Sequence, residues 1–180
     1  MNKEVKDQFS FEKKCQPKID EIYRIFTYIE NINRSNNCKK YDVILTTIEG
    51  QDIKIEEKFR RHNARVYDDF LFEIIQSVFP DTRKESKEKL DLGWYYYCEA
   101  DQVNVCYLDK DENIDKIYSV KWHDFKNWFE ENYKSLSKKI NVSISTNGYG
   151  LTINCAIKWK YIPIELYEVI SEYNREQEKN

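Results

Sequence analysis

KYDVILTTIEGQDIKIEEKFR, residues Lys40 to Arg60, decides how this chain is read, because it holds two apolar-alternating runs around the turn residues Glu49, Gly50 and Gln51. In the second run Ile53, Ile55 and Phe59 share one face, while Lys54, Glu56 and Lys58 share the other. Antiparallel pairing folds Asp42, at the start of the first strand, back to the level of Glu56 and Lys58. Two carboxylates and an ammonium then converge, the outline of a small metal and phosphate site.

Upstream, residues 1 to 14 are polar and are expected to fray. Pro17 suits the first turn of a helix, where its missing N–H is not needed. Ile19, Ile22, Tyr23, Phe26, Ile29 and either Tyr28 or Ile32 continue at spacings of three and four, which predicts a helix to about Asn33, closed by Arg34-Ser35-Asn36-Asn37. Downstream, the basic loop Arg60, Arg61, His62, Asn63, Ala64, Arg65 leads to a second expected helix from Tyr67 to Phe79. Its apolar face is Phe70, Leu71, Ile74, Ile75 and Val78, and Pro80 ends it.

Residues 81 to 91, DTRKESKEKLD, read as a solvated loop or short exposed helix. Gly93 to Cys98 and Gln102 to Leu108 read as strands by aromatic and β-branched content, followed by a strand from Lys116 to Trp122. A short amphipathic helix, Asp124 to Tyr133, turns Phe125, Trp128 and Phe129 inward. Lys134 to Lys139 reads as a linker. Val142 to Thr146 and Leu151 to Ile157 bracket the hairpin signal Asn147-Gly148-Tyr149-Gly150, and Ile162 to Tyr173 is expected as a terminal helix starting at Pro163. The whole reads as an α/β domain over 1–180, a mixed central β-sheet flanked by helices, with a core at 15–133 and a hairpin-helix appendage at 140–175.

The chain's 180 residues suffice for one domain with a core. Lys plus Arg number 29 against 32 Asp plus Glu, so nucleic-acid binding has to come from a local patch rather than from net charge. Cys15, Cys38, Cys98, Cys106 and Cys155 are odd in number and form no CxxC, which points to reduced thiols and away from zinc. The N-terminus carries charges where a signal peptide needs an apolar run, and no stretch reaches the roughly 20 apolar residues of a membrane span. A cytoplasmic protein with no membrane partner is expected, and the sequons at Asn33 and Asn141 are then inert.

Phosphodiester hydrolysis with a divalent metal requires carboxylates that hold Mg²⁺ or Mn²⁺ while leaving positions for water and phosphate oxygens. It also requires a group that orients or deprotonates the attacking water. Asp42 and Glu56, helped by the Glu57 carbonyl, meet the first need and Lys58 meets the second. With thirteen residues between Asp42 and Glu56-Glu57-Lys58, the pattern resembles the PD-(D/E)xK nuclease superfamily, as does the element order from about Pro17 to Leu108. The resemblance implies a nuclease-like core that cuts DNA, with Asp42 and Glu56 as metal ligands and Lys58 as the catalytic lysine. It also implies a glutamate from the first helix, for which Glu21 is the candidate, and a polar residue from the following helix, Glu73 or Gln76. Tyr41 stands where the family name records proline. Glu12-x-Lys14 and Glu85-x-Lys87 fall in polar segments and carry no meaning on this reading.

Arg60, Arg61 and Arg65 would lie beside such a metal and contact nucleic-acid phosphates. The bland reading pairs them with Asp68 and Asp69. Asp109, Asp111, Asn113 and Asp115 imitate half a calcium loop, but Ile114 and Val120 occupy the positions that need glycine and glutamate. His62 and His123 are the chain's two histidines, too few for a His-rich metal centre. Trp94 to Tyr97 offers rings for stacking on unpaired bases, and Asp101 is a further acidic candidate. The competing function is a non-catalytic protein on the same scaffold that binds and inhibits a host-defence protein or nucleoprotein complex. A Lys/Asn/Ile-rich chain of a phage or mobile element, anti-CRISPR-like, would suit that role. The C-terminal hairpin and helix would then serve partner binding or a homodimer.

Overall fold

The computed structural model describes residues 3–35, 40–78, 89–147 and 150–170. Cys38, most of the charged run at 81–91, the Gly148-Tyr149 turn and residues 171–180 lie outside them.

The fold is mixed α/β. Helix α1 (Lys3–Ile25) is followed by three antiparallel strands, β1 (Ile29–Arg34), β2 (Val43–Thr47) and β3 (Asp52–Arg60). A 3-10 segment at His62–Tyr67 leads to β4 (Asp69–Val78), β5 (Lys89–Leu92) and the one-turn helix α2 (Trp94–Tyr97). Then come β6 (Gln102–Leu108), β7 (Ile114–Lys121), α3 (Trp122–Leu136), the hairpin β8 (Ile140–Asn147) and β9 (Gly150–Lys158), and finally β10 (Tyr167–Val169). Six strands form one sheet in the order β1-β2-β3-β6-β7-β10, and four form another in the order β5-β4-β9-β8. In the six-stranded sheet β3 and β6 run parallel, and the other neighbours pair antiparallel.

Alternation in β3 and β6 gives the six-stranded sheet two apolar faces. One face, with Val43, Leu45, Ile55, Phe59, Cys106 and Leu108, is covered by α1. That helix presents Phe11, Cys15, Ile19 and Tyr23, four residues apart, as a single buried stripe. The other face, with Val103, Val105 and Val120, meets α3 and the four-stranded sheet through Trp122, Phe125, Phe70, Phe72 and Trp159. Phe70 and Phe125 meet edge-on at 4.9 Å, and Tyr118 stacks on Trp159 at 4.1 Å.

Several expected elements are corrected. Residues 3–14 are helical rather than frayed, and Pro17 lies inside α1, on its exposed side. The stretch expected as the end of that helix is strand β1. A register shift between Ile29 and Asn31 inserts an extra residue, so its apolar positions fall three apart and imitate a helix. The expected helix from Tyr67 to Phe79 is strand β4, for the same reason. Phe70 and Phe72 alternate into the core, then a register shift between Glu73 and Ile75 resets the pattern.

Gly93 to Cys98, expected as a strand, forms α2 instead. Gly93 donates its N–H to Ile74 O at 2.8 Å, and a Cβ there would overlap the Glu73 carbonyl oxygen, so the chain crosses close over β4 only because residue 93 is glycine. The expected terminal helix is, over its described part, a 3-10 turn (Ile164–Leu166) and strand β10, which pairs with Tyr118–Val120. The hairpin expected as an appendage shares a sheet with the core span, since β9 pairs along β4 from Asp69↔Lys158 to Val78↔Gly150. Among the described residues no helix is long and apolar enough to cross a membrane.

Candidate functional site

The β2–β3 hairpin delivers its three side chains as alternation requires. Val43 pairs with Ile55, and Asp42 N–H donates to Ile55 O at 2.8 Å, so Asp42 stands opposite Glu56. Its Oδ2 accepts the Glu57 N–H at 2.7 Å. Glu56 is 4% exposed. Its Oε1 accepts from Lys58 Nζ at 2.5 Å, while its Oε2 is buried without a hydrogen-bond partner among the described residues. Burial raises the Glu56 pKa, with Lys58 opposing and Asp42 reinforcing the rise. Lys58 is half-buried, and the neighbouring Glu56 and Asp42 charges overcome the burial that disfavours its cation, so its pKa is raised. The ammonium also stands 4.8 Å from the centre of the Trp94 ring.

Lys58 and Trp94, but neither Asp42 nor Glu56, border a cleft of about 260 Å³ lined also by Glu12, Arg60, Glu73 and Asn154, together with Phe59 and Leu71. Glu73 thus comes to the cleft, but from a strand rather than a helix. Burial raises its pKa and the Lys58 cation opposes the rise. Gln76 stands further along β4, opposite Thr152 and Asp91, and does not line this cleft. Glu21 is exposed on α1. The glutamate that α1 does bring to the cleft is Glu12, within the Glu12-x-Lys14 that looked meaningless in sequence. The signal that finds it is its place beside Phe11 in the buried stripe that runs on through Cys15.

The three arginines separate. Arg60 lines the cleft and lies 3.8 Å from Asp69. Arg61 stacks over Phe11 at 3.9 Å, facing a neighbouring cavity, and Arg65 pairs with Asp115 at 2.5 Å. Asp101 is committed elsewhere, accepting the Lys54 N–H at 2.8 Å where β3 and β6 begin to pair. Asp109 accepts the N–H groups of Asp111 and Asn113, both at 2.9 Å, and so closes the β6–β7 hairpin. Burial pushes the thiols of Cys15, Cys98, Cys106 and Cys155 above their ordinary pKa, so none offers a ready thiolate.

On the opposite face of β3 lies a polar network that the reading of the sequence missed. Glu57, 5% exposed, accepts from Tyr23 OH at 3.1 Å and from Arg34 Nη1 at 2.5 Å. Arg34 Nη2 also reaches Asp20 and, at 3.3 Å, Gln16 O, and Asn104 donates to Tyr23 OH at 2.9 Å. The signal was present, since alternation puts Glu57 on the same face as Ile53, Ile55 and Phe59. A lone charge in an apolar row needs a buried partner.

Burial lifts the Glu57 pKa from its ordinary 4.5 to about 7, with Arg34 opposing and Asp42 reinforcing. The folded protein therefore holds this proton more tightly than the unfolded chain does. The resulting contribution to stability is complete below pH 4.5 and is lost as the pH rises through 7, about 3 kcal/mol in all. Urea unfolding should accordingly show a lower midpoint at pH 8 than at pH 5. In Glu57→Gln that difference should shrink without vanishing, because burial also raises Glu56, Asp69 and Glu73. An unchanged difference in the variant would refute the assignment.

Among the described residues, no three His, Cys, Asp or Glu side chains group as a ready-made metal site. Asp42 and Glu56 are a pair of carboxylates standing opposite each other on adjacent strands. Compared with known proteins, the chain matches no protein-family model, no curated protein and no solved structure.

Proposed function

We propose that this chain is a divalent-metal-dependent phosphodiesterase acting on DNA, of the PD-(D/E)xK kind. The observation that carries the reading is the buried Glu56 carboxylate. One of its oxygens holds Lys58, the other has no partner among the described residues, and Asp42 stands opposite on the adjacent strand. A hard cation accounts for an orphaned carboxylate oxygen at such a place better than a solubilising surface charge does, because a buried unpaired oxygen is costly. Asp42, Glu56 and the Glu57 carbonyl would hold Mg²⁺ or Mn²⁺, which supplies Lewis-acid stabilisation of charge on the phosphate.

The chain's own residues do the rest. Lys58 donates a proton-bearing edge to the attacking water or to a phosphate oxygen, and Glu56 keeps that ammonium charged and aimed. Arg60, on the same cleft wall, contacts the phosphate being cut. Glu12 and Glu73 put further negative charge at the rim, where they can accept protons from water or hydrogen bonds from hydrated metal.

A panel of supercoiled, linear, single-stranded and branched DNA incubated with Mg²⁺, Mn²⁺ or EDTA tests this. Cutting is expected with metal, absent with EDTA, and lost in Glu56→Gln. Cutting at the wild-type rate by that variant would sink the proposal.

A second reading, a non-catalytic binder of a protein or nucleoprotein partner, is favoured by the edge strand β8, where Val142 and Ile144 are 60% and 66% exposed. A folded protein that cuts no DNA but captures a partner through Val142 and Ile144 would establish it instead.

A further inference from the structure

Lys58 is held from two sides. Glu56 Oε1 accepts from its Nζ, and the face of Trp94 lies 4.8 Å away. The indole is itself fixed, 5.1 Å from the Trp122 ring and 6.5 Å from Phe70, both fully buried. Its backbone is fixed as well. Trp94 is the first residue of α2, and the preceding Gly93 ties that turn to β4 beside Glu73 through its bond to Ile74 O.

A lysine side chain has four rotatable bonds, and one hydrogen bond leaves several rotamers that satisfy it. An aromatic face adds a second, directional restraint, because the ring quadrupole draws the cation over its centre. We propose that Trp94 is a positioning residue for Lys58, its indole face holding the ammonium against Glu56 and toward the Glu73 wall of the cleft. As a statement about catalysis this rests on the phosphodiesterase reading. As a statement about the side chain of Lys58 it stands on the geometry alone.

A merely structural Trp94 would lower stability when replaced and leave the behaviour of Lys58 in the folded fraction unchanged. Two variants separate the roles. Trp94→Phe keeps a weaker aromatic face, and Trp94→Met keeps a flexible apolar side chain without one. Proton–carbon NMR of lysine-labelled protein reads the contact directly. The Lys58 ε-methylene signal, identified by its loss in Lys58→Arg, is expected upfield in the wild type from the ring current, less so in Trp94→Phe, and unshifted in Trp94→Met. Steady-state DNA cleavage on the same proteins reads the consequence. The kcat of Trp94→Met should fall about tenfold with KM nearly unchanged, and Trp94→Phe should recover most of it.

An unshifted wild-type Lys58 signal overturns the proposal, as does a Trp94→Met kcat equal to the wild type once corrected for folded fraction. If the wild type cuts no DNA while the NMR pattern appears as expected, the phosphodiesterase reading falls and the anchoring of Lys58 is upheld. If Trp94→Met does not fold, Trp94→Phe decides. A reduced shift with a reduced kcat supports the proposal, and wild-type values of both overturn it.

Discussion

Lys58→Ala should lower the metal-dependent cleavage rate by about 10²–10³-fold, the usual cost of removing one preorganised charged donor from a site where negative charge develops. Lys58 is the cation that compensates Glu56, so its loss also leaves a 4% exposed carboxylate facing Asp42 across the hairpin without its ammonium. Glu56 should then protonate more readily and become a poorer ligand. Lys58→Arg should recover little, since a planar guanidinium cannot occupy the point position between Glu56 and the indole face. The measurement is single-turnover cleavage at saturating enzyme, which removes DNA affinity from the comparison. A Lys58→Ala rate within threefold of the wild type would remove this lysine from the mechanism.

The second large effect lies beneath α1. Arg34→Ala strips the cation from Glu57, whose side chain is 1% exposed, and should destabilise the fold by about 3–5 kcal/mol at pH 8, where the variant must either bury the carboxylate without its cation or take up a proton. At pH 5 the same variant should lose much less, because in the wild type Glu57, with its pKa raised to about 7, is already neutral and has no charge for Arg34 to compensate. Replacing both partners, Arg34→Met with Glu57→Leu, should restore part of the stability, since no charge is left buried at position 57, while the Tyr23 hydroxyl and Asp20 each lose a partner. Urea titrations of the three proteins at both pH values provide the check. Equal losses at pH 5 and pH 8 would show that Arg34 acts through packing with Gln16 and Asp20 rather than through Glu57.

What could be read from sequence follows the local rules that tertiary structure left undisturbed. The β2–β3 hairpin is legible because Gly50 takes φ 78 in its turn and alternation runs cleanly on both sides, and with it come Asp42, Glu56 and Lys58. Strand β6, helix α3 and the β8–β9 hairpin are legible for similar reasons. The strands β1 and β4 were mistaken for helix because each carries a bulge, and an added residue turns a period of two into spacings of three and four. The aromatic run at Trp94 was mistaken for a strand because its content fits one. The requirement that bent it was the clearance between Gly93 and the β4 backbone, a tertiary fact. Arg34 could not be matched to Glu57 in advance, because their meeting depends on β1 being a strand and on α1 lying across it.

Strand β3 carries two identical residues in succession, Glu56 on the face of Lys58 and Glu57 toward α1. A slide of this strand by one position along its neighbours would exchange them, leaving a glutamate on each face as before. Composition alone would not reveal the error. The neighbouring residues would: Lys58 would be driven beneath α1, against Arg34, and Phe59 would leave the apolar face it shares with Val43, Leu45 and Ile55. Arg34 meets Glu57 and Trp94 meets Lys58 only in the observed alignment, so the contact on the α1 side of the sheet also fixes which side chains of this strand face the other way.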